Sequence, residues 1–128
     1  MKYLLDTHAF IWLDSAPAQL SPQVRSILQD STNILLLSLV SIWEMQIKIH
    51  LGKLHLNLPL AELVESQRQI NSIDILPIAL SHVLALDNLP LHHKDPFDRL
   101  LIAQANIENA ALISRDPVFA NYQVQVIW

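Results

Sequence analysis

The chain has 128 residues, the usual size of one domain, and is long enough to bury one hydrophobic core. Apolar residues make up 52% of it and charged residues 16%, an apolar surplus that predicts a homodimer, a bound protein partner, or both. The net charge of −4 argues against a broad electrostatic nucleic-acid surface, and the absence of cysteine excludes disulfides, thiolate zinc sites and a cysteine nucleophile.

Short apolar runs alternate with helical stripes in the first half of the chain. Residues 3–5 predict a first strand, and an apolar stripe within 24–28 predicts a helix. Residues 34–37 form a continuous apolar run, which is typical of a buried parallel strand. The period then becomes helical over 38–51, and Gly52, the only glycine, fits the left-handed residue that ends such a helix.

The second half continues the same alternation around a loop at 89–94. Further helices are predicted at 60–70, 80–84 and 96–109, and further strands at 73–76, 111–113 and 124–127. Five strands with intervening helices predict an α/β protein with an open, doubly wound sheet, and the absence of repeats or linkers predicts a single domain over 1–128. Ligands of such sheets bind beyond the carboxyl ends of the strands.

Four carboxylates occur in separate segments, each where a strand or loop is predicted to enter a helix: Asp6, Glu44, Asp98 and Asp116. Side chains at such junctions can converge on one edge of a parallel sheet. At an effective dielectric of about 20, two unit charges roughly 5 Å apart repel by about 3 kcal/mol, so such a cluster needs a cation. The pattern therefore predicts a hard-metal site and, with it, hydrolytic phosphate chemistry.

Each of these acids also has an ordinary structural interpretation. Asp6 and Asp116 could cap helices, and Glu44 could form a surface ion pair with the lysine four residues later. Asp98 falls in a first helical turn, where the helix dipole favours an acid. Asp95 precedes Pro96, the usual start of a helix, and is assigned to structure. The metal hypothesis depends on the four acids occurring together.

Other polar residues give weaker signals. The six histidines show no zinc-ligand spacing, and His92–His93 is interpreted as a solvated loop pair. A single glycine excludes Walker-type and dinucleotide-binding loops. Ser114 could hydrogen-bond a phosphate or simply end a strand, and Arg99 and Arg115 could contact RNA phosphates or offset the neighbouring carboxylates.

No segment predicts export or membrane insertion. The N-terminus reaches Asp6 too early for a secretory signal, and the apolar run at 34–43 is far shorter than a membrane span. We therefore expect a cytoplasmic protein without a membrane association.

Four stretches, in this order along the chain, resemble the PIN-domain ribonucleases and, among them, the VapC-type toxins of bacterial toxin–antitoxin pairs: LLDTHAFIWLD, SIWEMQIKIHLGKL, HHKDPFDRLLIAQA and LISRDPVFANYQVQVIW. The resemblance implies a three-layer α/β/α fold with a central parallel sheet of about five strands. It also implies a divalent-metal-dependent endoribonuclease that leaves a 5′-phosphate and a 3′-hydroxyl, and a small antitoxin partner.

The resemblance carries the family's acidic site onto Asp6, Glu44, Asp98 and Asp116, and its small hydroxyl residue onto Ser114. Within this set we expect Asp6, Asp98 and Asp116 to hold Mg²⁺ or Mn²⁺, with Glu44 nearby, because oxygen ligands suit these ions better than zinc. Helical faces containing Trp12, Leu39 or Leu63 are candidates for dimer and antitoxin contacts.

Two other functions stay open at this stage. A catalytically silent PIN-like module that binds RNA or protein is the alternative to a nuclease, and loss of one of the acids would have indicated it. Phosphoryl transfer on an aspartate is disfavoured, because haloacid-type phosphatases need a second Asp at the position of His8, and receiver domains need a late lysine at a strand end.

Overall fold

Five parallel strands form one sheet in the computed structural model, which describes residues 1–128. The strands are β1 (Lys2–Leu5), β2 (Ile34–Ser38), β3 (Ile73–Leu76), β4 (Ala111–Ile113) and β5 (Val126–Ile127), in the spatial order β3-β2-β1-β4-β5. The chain thus builds outward from β1 to β3 and then returns to the other side of β1. The strand order reverses between β1 and β4, and this reversal creates the switch-point crevice where ligands of such sheets bind.

Six helices cover the sheet, and three short 3₁₀ turns (Pro17–Gln19, Ala85–Asn88 and Pro117–Asn121) complete the regular structure. The helices are α1 (Thr7–Ser15), α2 (Pro22–Gln29), α3 (Leu39–His50), α4 (Leu60–Ile70), α5 (Leu80–Leu84) and α6 (Pro96–Ile107). None of them is both long enough and apolar enough to cross a lipid bilayer.

Strand pleating divides the buried side chains into two cores, one on each face of the sheet. Tyr3 and Leu5 of β1 join the core beneath α1, α2 and α4, whereas Leu4 joins the core beneath α6. Successive side chains of a strand point to opposite faces, so a strand buried on both sides needs an unbroken apolar sequence. Two cores around one sheet make the three-layer α/β/α arrangement, and the predicted fold class is confirmed.

Strand register brings the carboxyl ends of three neighbouring strands level. Leu5 of β1 lies beside Leu37 of β2 on one side and Ile113 of β4 on the other. The next residues along each strand, among them Asp6 and Ser114, therefore emerge at one edge of the sheet. This edge is the position that the sequence predicted for a site.

Most element boundaries agree with the sequence prediction to within a few residues, and Gly52 has the expected positive φ of 72°. The predicted strand at 124–127 is wrong in length, because only Val126–Ile127 pairs with β4. Helix α6 ends at Ile107, before a left-handed Asn109 with φ of 53°. Helix α1 had no predicted range: its residues are apolar around most of the helix, so no clear stripe marks it.

Candidate active site

A small polar pocket of about 100 Å³ lies at the carboxyl edge of the sheet, and no apolar side chain lines it. Its lining residues are Asp6, Thr7, His8, Glu44, Lys48, Asp95, Asp98 and Asp116. All four acids predicted from the sequence are therefore neighbours in space. Five carboxylates share this pocket with a single lysine ammonium group, so the local charge is strongly negative.

Asp6 connects β1 to α1. Its Oδ1 accepts a hydrogen bond from the Ala9 backbone N–H at 2.8 Å, so the helix-cap interpretation holds as well. The residue is buried, and burial raises the pKa of its carboxyl group above the usual value. Hydrogen bonds from the Ser114 hydroxyl and Ala9 oppose this shift, while the negative charge of Asp116 adds to it.

Glu44 reaches the pocket from α3 and is held at both carboxylate oxygens. Its Oε1 accepts a hydrogen bond from the Thr7 hydroxyl at 2.5 Å, and its Oε2 lies 3.2 Å from the Lys48 ammonium group. The predicted ion pair with Lys48 is thus present, but it is not an ordinary surface pair, because Glu44 itself is buried. Both partners fix the direction in which the carboxylate points.

Asp98 lies in the first turn of α6, which Asp95 caps by accepting hydrogen bonds from the backbone N–H groups of Phe97 and Asp98. The structural role predicted for Asp95 is confirmed. Burial, followed by the negative charge of Asp95, raises the pKa of Asp98 to about 6, and Glu44 contributes in the same direction. A hydrogen bond with His93 acts in the opposite direction.

Asp116 and Ser114 belong to the turn that follows β4. The Ser114 hydroxyl oxygen accepts a hydrogen bond from the Asp116 backbone N–H at 3.0 Å, and Asp116 Oδ1 accepts one from Val118 at 3.0 Å. Ser114 is buried and also bonds Asp6, so it connects the two acids that flank the switch point. Contact of Ser114 with a phosphate stays a prediction.

The donor set suits a hard divalent cation, since every acidic ligand candidate offers oxygen. Both Asp6 and Asp98 have raised pKa values, which shows that the pocket disfavours its own negative charge. No three acidic or histidine side chains stand close enough together to bind one ion directly. A cation that keeps several of its waters, as Mg²⁺ does, therefore fits this pocket better than one that needs a closed protein cage.

Comparison with known proteins decides the family. The PIN domain profile matches residues 3–125, nearly the whole chain. The chain belongs to the PIN domain family. No curated protein sequence matches it.

Solved structures with the same fold as this PIN domain include three complexes. VapBC2 from Rickettsia felis bound to a promoter DNA fragment has a TM-score of 0.74 at 15% identity, covering 99% of this chain and 98% of that chain. DNA-bound VapBC from Salmonella typhimurium has a TM-score of 0.71 at 12% identity, covering 99% and 97%. A toxin–antitoxin complex from Klebsiella pneumoniae has a TM-score of 0.61 at 18% identity, covering 98% and 96%. At these identities the likeness establishes a shared fold.

The two arginines predicted to contact substrate lie in different settings in the PIN domain. The Arg99 guanidinium group donates hydrogen bonds to the carbonyl oxygens of Pro90 and Leu89, at 2.7 and 3.2 Å, and is not part of the pocket lining. The Arg115 guanidinium group instead lies 4.5 Å from the centre of the Trp12 ring. Substrate contact stays a prediction for both, and the position of Arg115 favours it.

Arg115 and Trp12 line a second cavity, of about 280 Å³, which opens beside the acidic pocket. Asp6, His8 and Asp116 line both cavities, so the two are continuous at the switch point. No sequence pattern predicts this cavity, because its residues come from two separate segments, the start of α1 and the turn after β4. The arrangement places an aromatic ring and a cation directly beside the carboxylates.

Sequence reasoning missed three residues that shape the site: Thr7, His93 and Tyr122. Thr7 bonds Glu44, and its hydroxyl directly after Asp6 was the available signal. His93 contacts Asp98 and Tyr122, so the interpretation of His92–His93 as a solvated pair is wrong for His93. The contacts of Thr7 with Glu44 and of His93 with Tyr122 join residues far apart in the chain, so no local sequence spacing predicts them.

One predicted interface residue is also corrected. Leu63 is fully buried in the core beneath α4, so the face that contains it is unavailable to a partner. Trp12 packs partly against the same core. Leu39 is 41% exposed and remains a candidate for a partner contact.

Proposed function

We propose that this PIN domain is a divalent-metal-dependent endoribonuclease and the VapC-type toxin of a bacterial toxin–antitoxin pair. The observation that supports this most strongly is the convergence of Asp6, Glu44, Asp98 and Asp116, from four segments, on one small pocket at the switch point. Crowded carboxylates in a polar cleft of a PIN domain are the arrangement that a metal-assisted phosphodiesterase needs.

The metal would be held by Asp6, Asp98 and Asp116, in part through its own water molecules, with Mg²⁺ as the preferred ion and Mn²⁺ as a substitute. Such an ion, when bound, supplies positive charge at the scissile phosphate and acidifies a water molecule. The protein's own side chains position the acidic ligands. Thr7 and Lys48 fix the Glu44 carboxylate, and the Ser114 hydroxyl holds Asp6 and Asp116 in a fixed relation.

RNA would enter across the cavity that Trp12 and Arg115 line. The guanidinium group of Arg115 can pair with a backbone phosphate, and its stacking on Trp12 presents a flat surface on which a base can stack. The overall negative charge gives little general attraction for RNA, so binding depends on this local patch and on the metal. Cleavage would form a bond from water to phosphorus and break the bond from phosphorus to the 3′-oxygen, which leaves as a hydroxyl, so the products would carry a 5′-phosphate and a 3′-hydroxyl.

The partner would be a small antitoxin, as the complexes that share this fold suggest. Exposed apolar side chains provide surface for it and for a second copy of the chain. Large exposed residues occur on α3 and α5, the two helices that contact α6: Leu39, Trp43, Leu80, Val83 and Leu84. We expect a homodimer, and a cytoplasmic location where RNA substrates are available.

The decisive experiment measures RNA cleavage by the purified chain with Mg²⁺, with EDTA, and with two matched variants. Asp6→Asn keeps the side-chain shape and removes one charge at the pocket, and Asp74→Asn makes the same change at an exposed position on β3. We expect cleavage to fall at least about 100-fold for Asp6→Asn and to stay within about twofold for Asp74→Asn.

Equal cleavage by the parent and Asp6→Asn would show that a contaminating nuclease, or another site, is responsible. Metal-independent RNA binding without any cleavage would instead favour the silent PIN-like module. Sedimentation at micromolar concentration tests the dimer, and a monomer there would contradict it. Co-expression with the product of the adjacent reading frame tests the antitoxin, which should restore growth of the host.

A further inference from the structure

Tyr122 is buried at the end of the 3₁₀ turn Pro117–Asn121, and nitrogen atoms surround its hydroxyl oxygen. The backbone N–H groups of His92 and His93 each lie 3.2 Å away, and Arg99 Nη1 lies at 3.3 Å. The fourth nitrogen, His93 Nδ1, is closest at 2.7 Å. The metal chemistry proposed above does not use this cluster, although it adjoins the acidic pocket.

The hydrogen-bond roles in this cluster follow from which groups carry protons. Backbone amides and a guanidinium group can only donate, so these three nitrogens share the two lone pairs of the Tyr122 oxygen and none of them can accept the tyrosine proton. A hydroxyl group has one proton of its own to donate. His93 Nδ1 is the only neighbour able to accept it, so the Tyr122 hydroxyl donates to Nδ1.

This assignment fixes the tautomer of the neutral His93 ring. Because Nδ1 accepts a hydrogen bond from the Tyr122 hydroxyl, the proton of the neutral ring must be on Nε2. His93 Nε2 lies 3.2 Å from Asp98 Oδ2. The ring therefore donates a hydrogen bond to one oxygen of the carboxylate and leaves Oδ1, which has no protein partner, available to a ligand.

We infer that His93 is a positioning residue for Asp98, with Tyr122 and Arg99 holding its ring in the Nε2–H tautomer. The tautomer of His93 and its hydrogen bond to Asp98 are properties of the metal-free fold. Only the consequence, that His93 orients a metal ligand, rests on the proposed function. This arrangement also gives Arg99 a defined task. By bonding the carbonyl oxygens of the 89–90 loop and the Tyr122 hydroxyl, Arg99 fixes the loop that carries His93.

The surroundings of Asp98 explain why its carboxylate needs a positioning residue. Asp95 and Glu44 place negative charge near its carboxylate, and no arginine or lysine pairs with it. Without a donor on Oδ2, the carboxylate is free to rotate away from its acidic neighbours and out of the pocket. A neutral donor holds it there without adding a positive charge that would compete with a metal ion.

The first measurement is the ring-nitrogen NMR spectrum of the metal-free protein, recorded under conditions where the two nitrogen shifts show the neutral ring. We expect a protonated Nε2 and an unprotonated Nδ1 for His93. In Tyr122→Phe, which keeps the buried ring, Asp98 still accepts from Nε2, so we expect the same tautomer but an Nδ1 shift moved to that of a ring nitrogen without a hydrogen bond. A ring protonated at Nδ1 in the parent, or an unchanged Nδ1 shift in Tyr122→Phe, would overturn the inference.

The second measurement is Mn²⁺ affinity, determined without RNA. We expect His93→Ala to weaken binding by about 10- to 100-fold, the usual effect of losing a group that orients a metal ligand. His93→Gln, whose amide nitrogen reaches the position of Nε2, should recover at least half of the loss on a logarithmic scale. His55→Gln is the matched control, because the His55 side chain is exposed and makes no hydrogen bond, and it should bind within about twofold of the parent.

These outcomes separate the inference from the proposed function. Normal Mn²⁺ affinity in His93→Ala, in a parent that binds Mn²⁺ and cleaves RNA, would reject the positioning role and leave the nuclease intact. A parent that neither binds Mn²⁺ nor cleaves RNA would reject the nuclease. The positioning role is then decided by the carboxyl carbon shift of Asp98, which should change in His93→Ala and not in His55→Gln.

Discussion

The two ends of the sheet carry very different cavities. The pocket at the carboxyl ends measures about 100 Å³ and holds five carboxylates. The cavity at the amino ends, beside the starts of β2 and β3, measures about 490 Å³ and has one acid in its lining, Asp30. That acid is exposed, and Thr32 satisfies it with hydrogen bonds from both its hydroxyl and its backbone N–H. Cavity size therefore does not indicate the site; the crowding of buried like charges does.

The direction of the strands explains the difference. In a parallel sheet each strand's carboxyl end enters a helix or turn, so the positive ends of helix dipoles gather at one edge. Asp6, Ser38 and Asp116 cap three of these N-termini. Helices such as α2 and α4 end at the opposite edge, and the negative ends of their dipoles repel acidic side chains. The same geometry that caps helices thus assembles the acidic pocket.

The largest expected contrast between the two ends is stabilisation by a metal ion. At Mn²⁺ concentrations of about 100 times Kd, binding should stabilise the parent by about 2.7 kcal/mol and raise its Tm by roughly 10 °C. Thermal unfolding should show this shift in Arg25→Gln, at the large cavity, and little of it in Asp6→Asn. An equal shift in both variants would place the ion elsewhere.

The next contrast concerns Thr7, which bonds the buried Glu44 carboxylate. Thr7→Val keeps the side-chain shape but removes the donor, and it should lower the free energy of unfolding by about 1–2 kcal/mol. Ser31→Ala, at the exposed large cavity, should change it by less than about 0.5 kcal/mol. Urea unfolding measures both. A neutral Thr7→Val would mean that Lys48 alone holds Glu44.

A third contrast concerns how stability depends on pH: the acid at one end of the sheet and the acid at the other contribute with opposite sign. Because the pKa of Asp98 is raised to about 6, the folded state binds more protons than the unfolded chain between about pH 4 and 6, so stability falls as pH rises through this window. Asp98→Asn should remove this fall and stabilise the metal-free protein at pH 7 by about 1 kcal/mol, after allowance for solvent screening.

Hydrogen bonds from Thr32 lower the pKa of Asp30, so its contribution has the other sign. It is present above the unfolded pKa and is lost as pH falls through the lower folded value. Asp30→Asn should therefore destabilise the protein at pH 7, opposite to Asp98→Asn. Urea unfolding of both variants from pH 3 to 8 checks this, and slopes of the same sign would contradict the contrast.

The smallest expected effect is that of the Lys48–Glu44 ion pair. Lys48 is 38% exposed at its side chain, so solvent screens the pair. Lys48→Met should change the stability of the metal-free protein by less than about 1 kcal/mol, in either direction. A loss above about 2 kcal/mol would show that Lys48 is the main group that balances the charge of the acidic pocket.

The elements that the sequence predicted well have a strong local signal. The unbroken apolar runs at β1 and β2 can be satisfied only by burial on both faces, and Gly52 marks a left-handed turn that other residues rarely adopt. Helix α1 was not predicted, because a helix that is apolar around most of its surface shows no apolar stripe along one side. Strand β5 is short, because only two of its four predicted residues pair with β4.

The sequence by itself determined the α/β class, the alternation of strands and helices, and the positions of Asp6, Asp98 and Asp116 at helix entries, because burial, periodicity and capping are properties of short segments. The predicted position of Glu44 at such an entry is wrong, because Glu44 lies in the middle of α3. Tertiary structure alone decided which polar groups meet. The contacts of Glu44 with Thr7, of Ser114 with Asp6, and of His93 with Tyr122 join segments that the strand order brings together. No spacing along the chain records that order, since it is set by how the two cores pack against opposite faces of one sheet.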